Sequence, residues 1–351
     1  MKYLRNRWYV AGWASELTAE APLLGRTILD EPIVFFRNGP GIGALRDQCP
    51  HRFAPLRLGS VTEGILQCPY HGLAFAADGE CVRNPQGPVP KAARVRSYPA
   101  CEAHSMLWVW MGVAEMADPA RIPDFSCIGA APATVRTPGY SRVDAHYELL
   151  NDNLMDLSHV DFLHRSTFSQ GSLSAVRPQV SVQGEAIRIL WNVLDAEPSV
   201  VNKPHIGDVK RIDIDTEVVW HAAGNVRLSI TMRPTGAPSG PALLIQGCHM
   251  MTPESATSTH YFHCGTRNFA VDDVAMTQQR AKIARRAFDE EDKPMIETVQ
   301  RSMGADTDLL NRHPMLLGGD GGAVRVRRAL KEMLAAEEIQ APLTCLASSK
   351  Y

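Results

Sequence analysis

At 351 residues, 45% of them apolar, the chain can bury the cores of two domains or of one large one, which excludes disorder as the default state. A formal net charge of -2 gives no bulk electrostatic reason to expect nucleic acid or an anionic membrane as a partner. No run of roughly 18 apolar residues occurs, and Met1 to Ala14 lacks the apolar stretch of a signal peptide, so the expectation is a cytoplasmic chain with no spanning segment.

From about residue 23 to 111, Gly and Pro punctuate short strand-like runs such as Ile33 to Phe36 and Met106 to Met111, a small β-rich module. Inside it stand Cys49-Pro50-His51 and, after sixteen intervening residues from Arg52 to Gln67, Cys68-Pro69-Tyr70-His71-Gly72. A Rieske cluster needs two thiolates on one iron and two neutral imidazoles on the other, and each of these loops offers one of each. Structural zinc is the competing reading, but its ligands usually pair Cys with Cys and His with His, and here they interleave. Cys81, Cys101, Cys127, Cys248, Cys264 and Cys345 fit no ligand pattern and read as small buried hydrophobes or incidental thiols, with no disulfide framework.

The Pro-bearing stretch from Pro119 to Pro138 marks a boundary, giving domains 1-118 and 119-351. A short helix is expected around Asp152 to His159, carrying the pattern N-x-x-D-x-x-H-x-x-x-x-H at Asn153, Asp156, His159 and His164. On one continuous helix the two imidazoles would point about 140° apart with about 7.5 Å of rise between them, so the helix must end or bend between them to serve one ion. Two histidines and a carboxylate leave open positions on ferrous iron for dioxygen. Asp156, three residues before His159, lies within reach of a ring N–H, where a carboxylate would orient a ligand imidazole. Asn153 reads equally well as a helix-capping amide.

Runs rich in β-branched and aromatic residues follow at Ala186 to Leu194, Val209 to Trp220, Val226 to Met232 and Thr257 to Cys264, indicating a mostly antiparallel sheet. His260 and His263 face opposite sides of such a strand and read as structural or pocket-lining. Asp272 to Met303 has helical spacing, with a kink or restart expected at Pro294. Asp289, Glu290, Glu291 and Asp292 are all candidates for the remote carboxylate, and spacing does not choose among them. Gly318 to Gly322 has the wrong order for a dinucleotide fingerprint and reads as a loop, and Ala323 to Glu338 as a last helix.

These constellations resemble those of the Rieske non-haem iron oxygenases, and within them the vanillate and dicamba O-demethylase group, along nearly the whole chain. The resemblance implies an α+β fold: an N-terminal all-β Rieske domain, then a helix-grip-like catalytic domain whose antiparallel sheet is flanked by helices. It implies a [2Fe-2S] cluster on Cys49, His51, Cys68 and His71, and mononuclear Fe(II) on His159, His164 and Asp292, the last from its Asp-Lys context. The other three acids of that run are then a solvated helix face. In this family an aspartate placed like Asp156 bridges a cluster histidine of one subunit to an iron-ligand histidine of its neighbour in a ring-shaped homotrimer, here His71, Asp156 and His159. Asn153 matches a residue near the iron that is not a firm ligand.

His249 matches a substrate-contacting histidine of the dicamba enzyme, its plainer reading being a satisfied histidine in a strand. Leu228 and Ile283 replace an asparagine and a tryptophan that meet substrate there, which predicts a less polar pocket of different shape. With no nicotinamide fingerprint in the chain, electrons from NADH or NADPH arrive through a separate flavin and iron-sulfur reductase, with or without a ferredoxin. The expected reaction is oxidative O- or N-dealkylation of a small aromatic substrate with O2. Ring dihydroxylation or methyl hydroxylation is the alternative, although the dihydroxylating subunits of the family are usually longer. An electron carrier or redox sensor would leave the second constellation unexplained.

Overall fold

The computed structural model describes residues 2–165, 167, 173–198, 202–237 and 239–345, with side chains in the last helix as far as Ile339; the thiol of Cys345 lies outside this set. The chain forms two compact units. One is the chain up to Ile122 with Thr252–Ala256 and the chain from Glu337; the other is Pro123–Met251 with Thr257–Ala336.

Up to Ile122 the described residues form strands and single 3-10 turns: β1 (Trp8–Trp13), β2 (Leu23–Ile28), β3 (Glu31–Asn38), β4 (Gly41–Arg46), β5 (Ser60–Thr62), β6 (Ile65–Gln67), β7 (Ala74–Phe75), β8 (Cys81–Arg83), β9 (Ala100–Ala103) and β10 (Met106–Trp110). They pair antiparallel into three small sheets, ordered β1-β10-β9, β2-β3-β4 and β5-β6-β7-β8. Val34, Phe36, Leu45, Leu66 and Phe75 are removed from solvent in one cluster, and Cys49 and Cys68 belong to the same cluster. The loop cysteines are therefore held by a packed core, and the residues beside them reach the surface.

The second unit opens with a short helix, α1 (Ser126–Ala130), and edge strand β11 (Thr137–Val143). Pro138 is tolerated in β11 because an edge strand need not donate every N–H. After helices α2 (Tyr147–Met155) and α3 (Val160–Leu163) come β12 (Gln179–Gln183), β13 (Ala186–Ala196), β14 (Ile212–His221), β15 (Asn225–Pro234), β16 (Leu243–Ser255) and β17 (Ser258–Arg267). The sheet has seven strands in the order β11-β17-β16-β15-β14-β13-β12. Period-2 patterning sets its inner face: Ile212, Ile214, Thr216, Val218 and Trp220 alternate buried with half-buried neighbours along β14. The four β-rich runs of the sequence fall in β13, β14, β15 and β17.

The chain then enters α4 (Val274–Arg286), whose N-terminus is capped by Asp273 accepting from the Met276 N–H at 2.8 Å. A π-helical turn over Ala287–Asp292 leads into α5 (Lys293–Met303), and α6 (Gly321–Cys345) closes the chain. The break expected at Pro294 takes the form of this π turn just before it. Proline has no N–H to return to the carbonyl of Glu290, and the ladder loosens there without ending the helix.

The helix expected over Asp152 to His159 starts earlier, at Tyr147, and stops at Met155. Its position is set by Arg327 of α6, whose buried guanidinium donates to both Asp152 oxygens at 2.6 to 3.0 Å and to Glu148 at 3.0 Å. Removing one partner of so buried an ion pair typically costs ~3–5 kcal/mol, which makes this network a firm foundation for Asn153 on the same helix. Among the described residues no helix is long and apolar enough to cross a membrane.

Candidate metal centres and substrate cavity

Both cysteine loops close on themselves. The Cys49 N–H donates to Ala54 O at 2.9 Å and the Phe53 N–H returns to Cys49 O at 2.9 Å; the Cys68 N–H donates to Leu73 O at 2.8 Å and the Gly72 N–H returns to Cys68 O at 3.2 Å. Gly72 has φ +76°, which L side chains rarely adopt, and a Cβ there would also press on Pro85 at 2.9 Å. The turns bring the His51 and His71 rings edge to face with centroids 4.5 Å apart. The two thiols lie inside the core and in hydrogen-bonding contact, while His51 is exposed and His71 half-buried. Burial, above all, pushes the Cys49 thiol up to about 11, so its thiolate needs a cation beside it. Thiols inward and imidazoles outward fit a cluster with one cysteine-bound and one histidine-bound iron.

In the second unit His159, His164 and Asp292 each offer a ligand atom, all within 4.8 Å of one another. His159 Nε2 is 3.6 Å from one oxygen of Asp292, and His164 Nε2 is 3.1 Å from the other. Both Nδ1 atoms are engaged elsewhere: that of His159 donates to the backbone carbonyl of Asp156 at 2.7 Å, and that of His164 meets Glu291 Oε2 at 2.6 Å. Fixing Nδ1 directs each Nε2 inward, which is how metal-ligating imidazoles are held. Asn153 Nδ2 donates to Asp292 Oδ1 at 3.0 Å and stands 3.5 Å from His159 Nε2. Asn153 thus joins this centre and does not cap a helix. Burial, the largest influence on His164, disfavours its charged form, but Asp292 and Glu291 outweigh it and raise its pKa. The centre favours positive charge, as a pocket for a divalent ion should.

Three expectations need correction here. The helix expected over Asp152 to His159 is not continuous: it breaks at Asp156 (φ -129°, ψ 98°) and resumes as a 3-10 turn over Leu157–His159, ahead of the end expected between the two histidines, which falls at Leu163. His159 then sits where the 3-10 turn meets α3, and His164 leaves helical geometry at the end of α3 (φ -102°, ψ 28°), so the ring centroids come within 5.3 Å. Second, the Asp156 carboxylate does not orient His159, since it accepts from Ser158 N and Oγ at 2.9 and 3.0 Å and caps the 3-10 turn. A backbone carbonyl takes the orienting role. Third, Glu291 is not on a solvated face. The π turn lets both Glu291 and Asp292 turn inward, and Glu291 also accepts from Thr167 Oγ1 at 2.8 Å. Asp289 accepts from Ser141 at 2.7 Å, leaving Glu290 as the exposed acid, 3.5 Å from Arg286.

Glu291→Ala should therefore lower affinity for the mononuclear iron about 10- to 100-fold, the usual effect of removing an orienting partner. Iron retention during dialysis against a graded chelator measures this, and wild-type retention would place the orienting force elsewhere.

A cavity of about 540 Å³ opens onto this triad. Leu228, Ile230, His249 and Tyr261 line it from the sheet, and Ile283 and Phe288 from the helix, so all three residues expected at the substrate are on its wall. Gly247 makes room for His249: a Cβ there would meet the ring nitrogen at 2.7 Å. The His249 Nδ1 contacts Tyr261 Oη at 2.6 Å, while its Nε2 is buried with no partner. Burial pulls His249 down to about 3 and raises Tyr261 well above its ordinary range, so both stay uncharged. Tyr261 carries no motif and was not foreseeable; its position opposite His249 depends on strand pairing. His263 also lines the cavity, whereas His260 bonds Tyr140 at 2.9 Å.

Residues 7–99 match the Rieske [2Fe-2S] domain, and residues 143–336 match the vanillate O-demethylase oxygenase C-terminal domain. The chain belongs to the Rieske non-haem iron oxygenases of the vanillate O-demethylase type. This oxygenase is 38% identical to the dicamba O-demethylase oxygenase component of Stenotrophomonas maltophilia, over 95% of its own chain and 98% of the relative. It is 36% identical to the chloroacetanilide N-alkylformylase oxygenase component of Rhizorhabdus wittichii, over 95% and 97%. The crystal structure of dicamba monooxygenase bound to 3,6-dichlorosalicylic acid superposes with a TM-score of 0.85 at 36% identity, covering 96% of this chain and 99% of that one. The oxygenase accordingly works with a [2Fe-2S] cluster and mononuclear non-haem iron, and draws its electrons from a separate protein component.

Proposed function

We propose that this oxygenase dealkylates a neutral aryl ether or N-alkyl anilide, with Cys49, His51, Cys68 and His71 holding the cluster and His159, His164 and Asp292 the iron. The observation that carries the reading is the apolar cavity opening directly onto the triad, with His249 Nε2 as its unsatisfied polar atom. When bound, the two metal groups supply single electrons and activated dioxygen, which together hydroxylate the carbon attached to the ether oxygen or amide nitrogen. The hydroxylated substrate is a hemiacetal or hemiaminal and falls apart to an aldehyde and the dealkylated ring.

The chain's own residues orient and select. His249 Nδ1 and the Tyr261 hydroxyl share a hydrogen bond of 2.6 Å, and in the tautomer of this reading the hydroxyl donates, which leaves Nε2–H as a donor for an ether or carbonyl oxygen. Leu228, Ile283 and Phe288 exclude water around the ring. Three guanidiniums, those of Arg165, Arg267 and Arg280, also line the cavity. Arg267 commits its N–H groups to Phe269, Ala270 and Asp273 carbonyls and to Thr277 Oγ1, and Arg165 is exposed over Phe162. Arg280 is half-buried on the cavity wall over Phe269, so a carboxylated ring is the competing substrate that the assay must distinguish.

The working unit of this reading is a cytoplasmic homotrimer. Asp156 links His71 of one copy to His159 of the next, its carboxylate facing His71 and its backbone carbonyl holding His159 Nδ1, and an NAD(P)H-dependent flavin and iron-sulfur reductase feeds the cluster, directly or through a ferredoxin. A panel of aryl methyl ethers, N-alkyl anilides and their carboxylated analogues, assayed for aldehyde with a surrogate reductase, tests the selectivity. Neutral members should be preferred, and His249→Phe should erode that preference while iron content holds. Faster turnover of the carboxylated analogues would overturn the assignment of a neutral substrate.

A further inference from the structure

Three cysteines of the second unit take no part in either metal centre: Cys127 on α1, Cys248 on β16 and Cys264 on β17. Cys127 and Cys248 are 121 residues apart in sequence, yet their sulfurs are 3.4 Å apart. A disulfide needs about 2.05 Å, so a shift of little more than 1 Å, shared between a short surface helix and a strand, would join them. Cys248 has no solvent exposure, whereas Cys127 is half-buried and reachable. The hydrogen bond from Cys248 is the main cause that pulls the Cys127 thiol down, and the Arg227 guanidinium adds to it; the Cys248 thiol moves up in return. The reachable sulfur is therefore the more nucleophilic of the two, and the buried one stands ready to resolve it. These thiols are not a metal site: among the described residues the one group of three ligands close enough for an ion is His159, His164 and Asp292.

We propose that Cys127 and Cys248 are a peroxide-oxidisable dithiol whose disulfide forms directly behind the substrate-contacting strand. The sulfur of Cys127 attacks hydrogen peroxide, breaking the O–O bond to give a sulfenic acid and hydroxide, which takes up a proton. The Cys248 thiol then displaces the sulfenic oxygen as water and forms the S–S bond, so two thiols are oxidised while one peroxide becomes two waters. Peroxide is what an oxygenase releases when two electrons reach dioxygen without hydroxylating a substrate. Cys248 lies between Gly247 and His249, both on the cavity wall, so joining it to α1 pulls on the backbone that aims His249.

The test treats the holoenzyme with equimolar hydrogen peroxide and maps its peptides without reduction, while the visible spectrum reports on the cluster. The expected result is one cross-linked peptide pair containing Cys127 and Cys248, a loss of two free thiols per chain, reversal by dithiothreitol and an unchanged cluster spectrum. In Cys248→Ser the cross-link should be lost and Cys127 should instead be trapped by dimedone as a sulfenic acid. Free Cys127 and Cys248 after treatment, or oxidation confined to Cys49 and Cys68, would overturn the proposal. The wild-type map decides even if the variant fails to fold, and because it needs no substrate it stands apart from the dealkylation assay.

Discussion

Asp292→Ala should remove the mononuclear iron and abolish aldehyde formation while leaving the cluster spectrum unchanged. Among the described residues Asp292 is the one carboxylate whose two oxygens face His159 Nε2 and His164 Nε2, at 3.6 and 3.1 Å, and its ion pairs there are with these imidazoles. Without it two neutral nitrogens remain, and a divalent ion loses both a ligand and the local negative charge that compensates it. Total iron should fall by about a third, from the cluster's two plus one to the cluster's two. Asn153 would lose its acceptor at 3.0 Å, a smaller structural cost that thermal melting reports separately. Full iron content in a folded Asp292→Ala variant would remove Asp292 from the ligand set and return the role to its neighbour Glu291.

Asp156→Asn should leave both metal centres filled and spectroscopically normal while lowering turnover by several orders of magnitude. The substitution separates two roles of one side chain. Asp156 Oδ1 accepts from the Ser158 N–H at 2.9 Å to cap the 3-10 turn, and an asparagine oxygen can do the same. Only the negative charge, which the proposed link between His71 and His159 of adjacent subunits requires, is lost. Turnover near the wild-type rate would reduce Asp156 to a helix cap. Gly319 provides a second test of the same idea: a Cβ at that position would come within 2.5 Å of Asp156 Oδ1, so Gly319→Ala should displace the carboxylate and depress turnover with iron content intact. The glycine-rich run that reads as a featureless loop is, at this point, a positioning element.

What was legible in the sequence was what is local in it. C-x-H and C-x-x-H are short loops, and their ligands can be recognised without knowing how the rest folds. The strands β13, β14, β15 and β17 announce themselves by β-branched periodicity over eight or more residues. The path of the chain between His159 and His164 was less accessible, because a 3-10 turn joined to a four-residue α-helix has no propensity signature of its own. Glu291 was hidden by a regular-helix assumption: on an α-helix adjacent acids diverge, and only the π turn ahead of Pro294 lets Glu291 and Asp292 serve one centre. Contacts that depend on tertiary pairing, such as Tyr261 with His249 and Cys127 with Cys248, leave no sequence trace. Asp292 was selected by resemblance and not by spacing, and its carboxylate lies with His159 and His164, their ligand atoms all within 4.8 Å of one another.

The most direct measurement of the central claim is a single turnover without the reductase. The holoenzyme is reduced chemically, freed of excess reductant, mixed with an aryl methyl ether or N-alkyl anilide that it accepts, and exposed to dioxygen. The account predicts one aldehyde and one dealkylated ring per filled mononuclear site, with the cluster oxidised in the same step and neither product formed by Asp292→Ala. A ring-dihydroxylated product without aldehyde, or oxidation of the cluster with the substrate untouched, would contradict it.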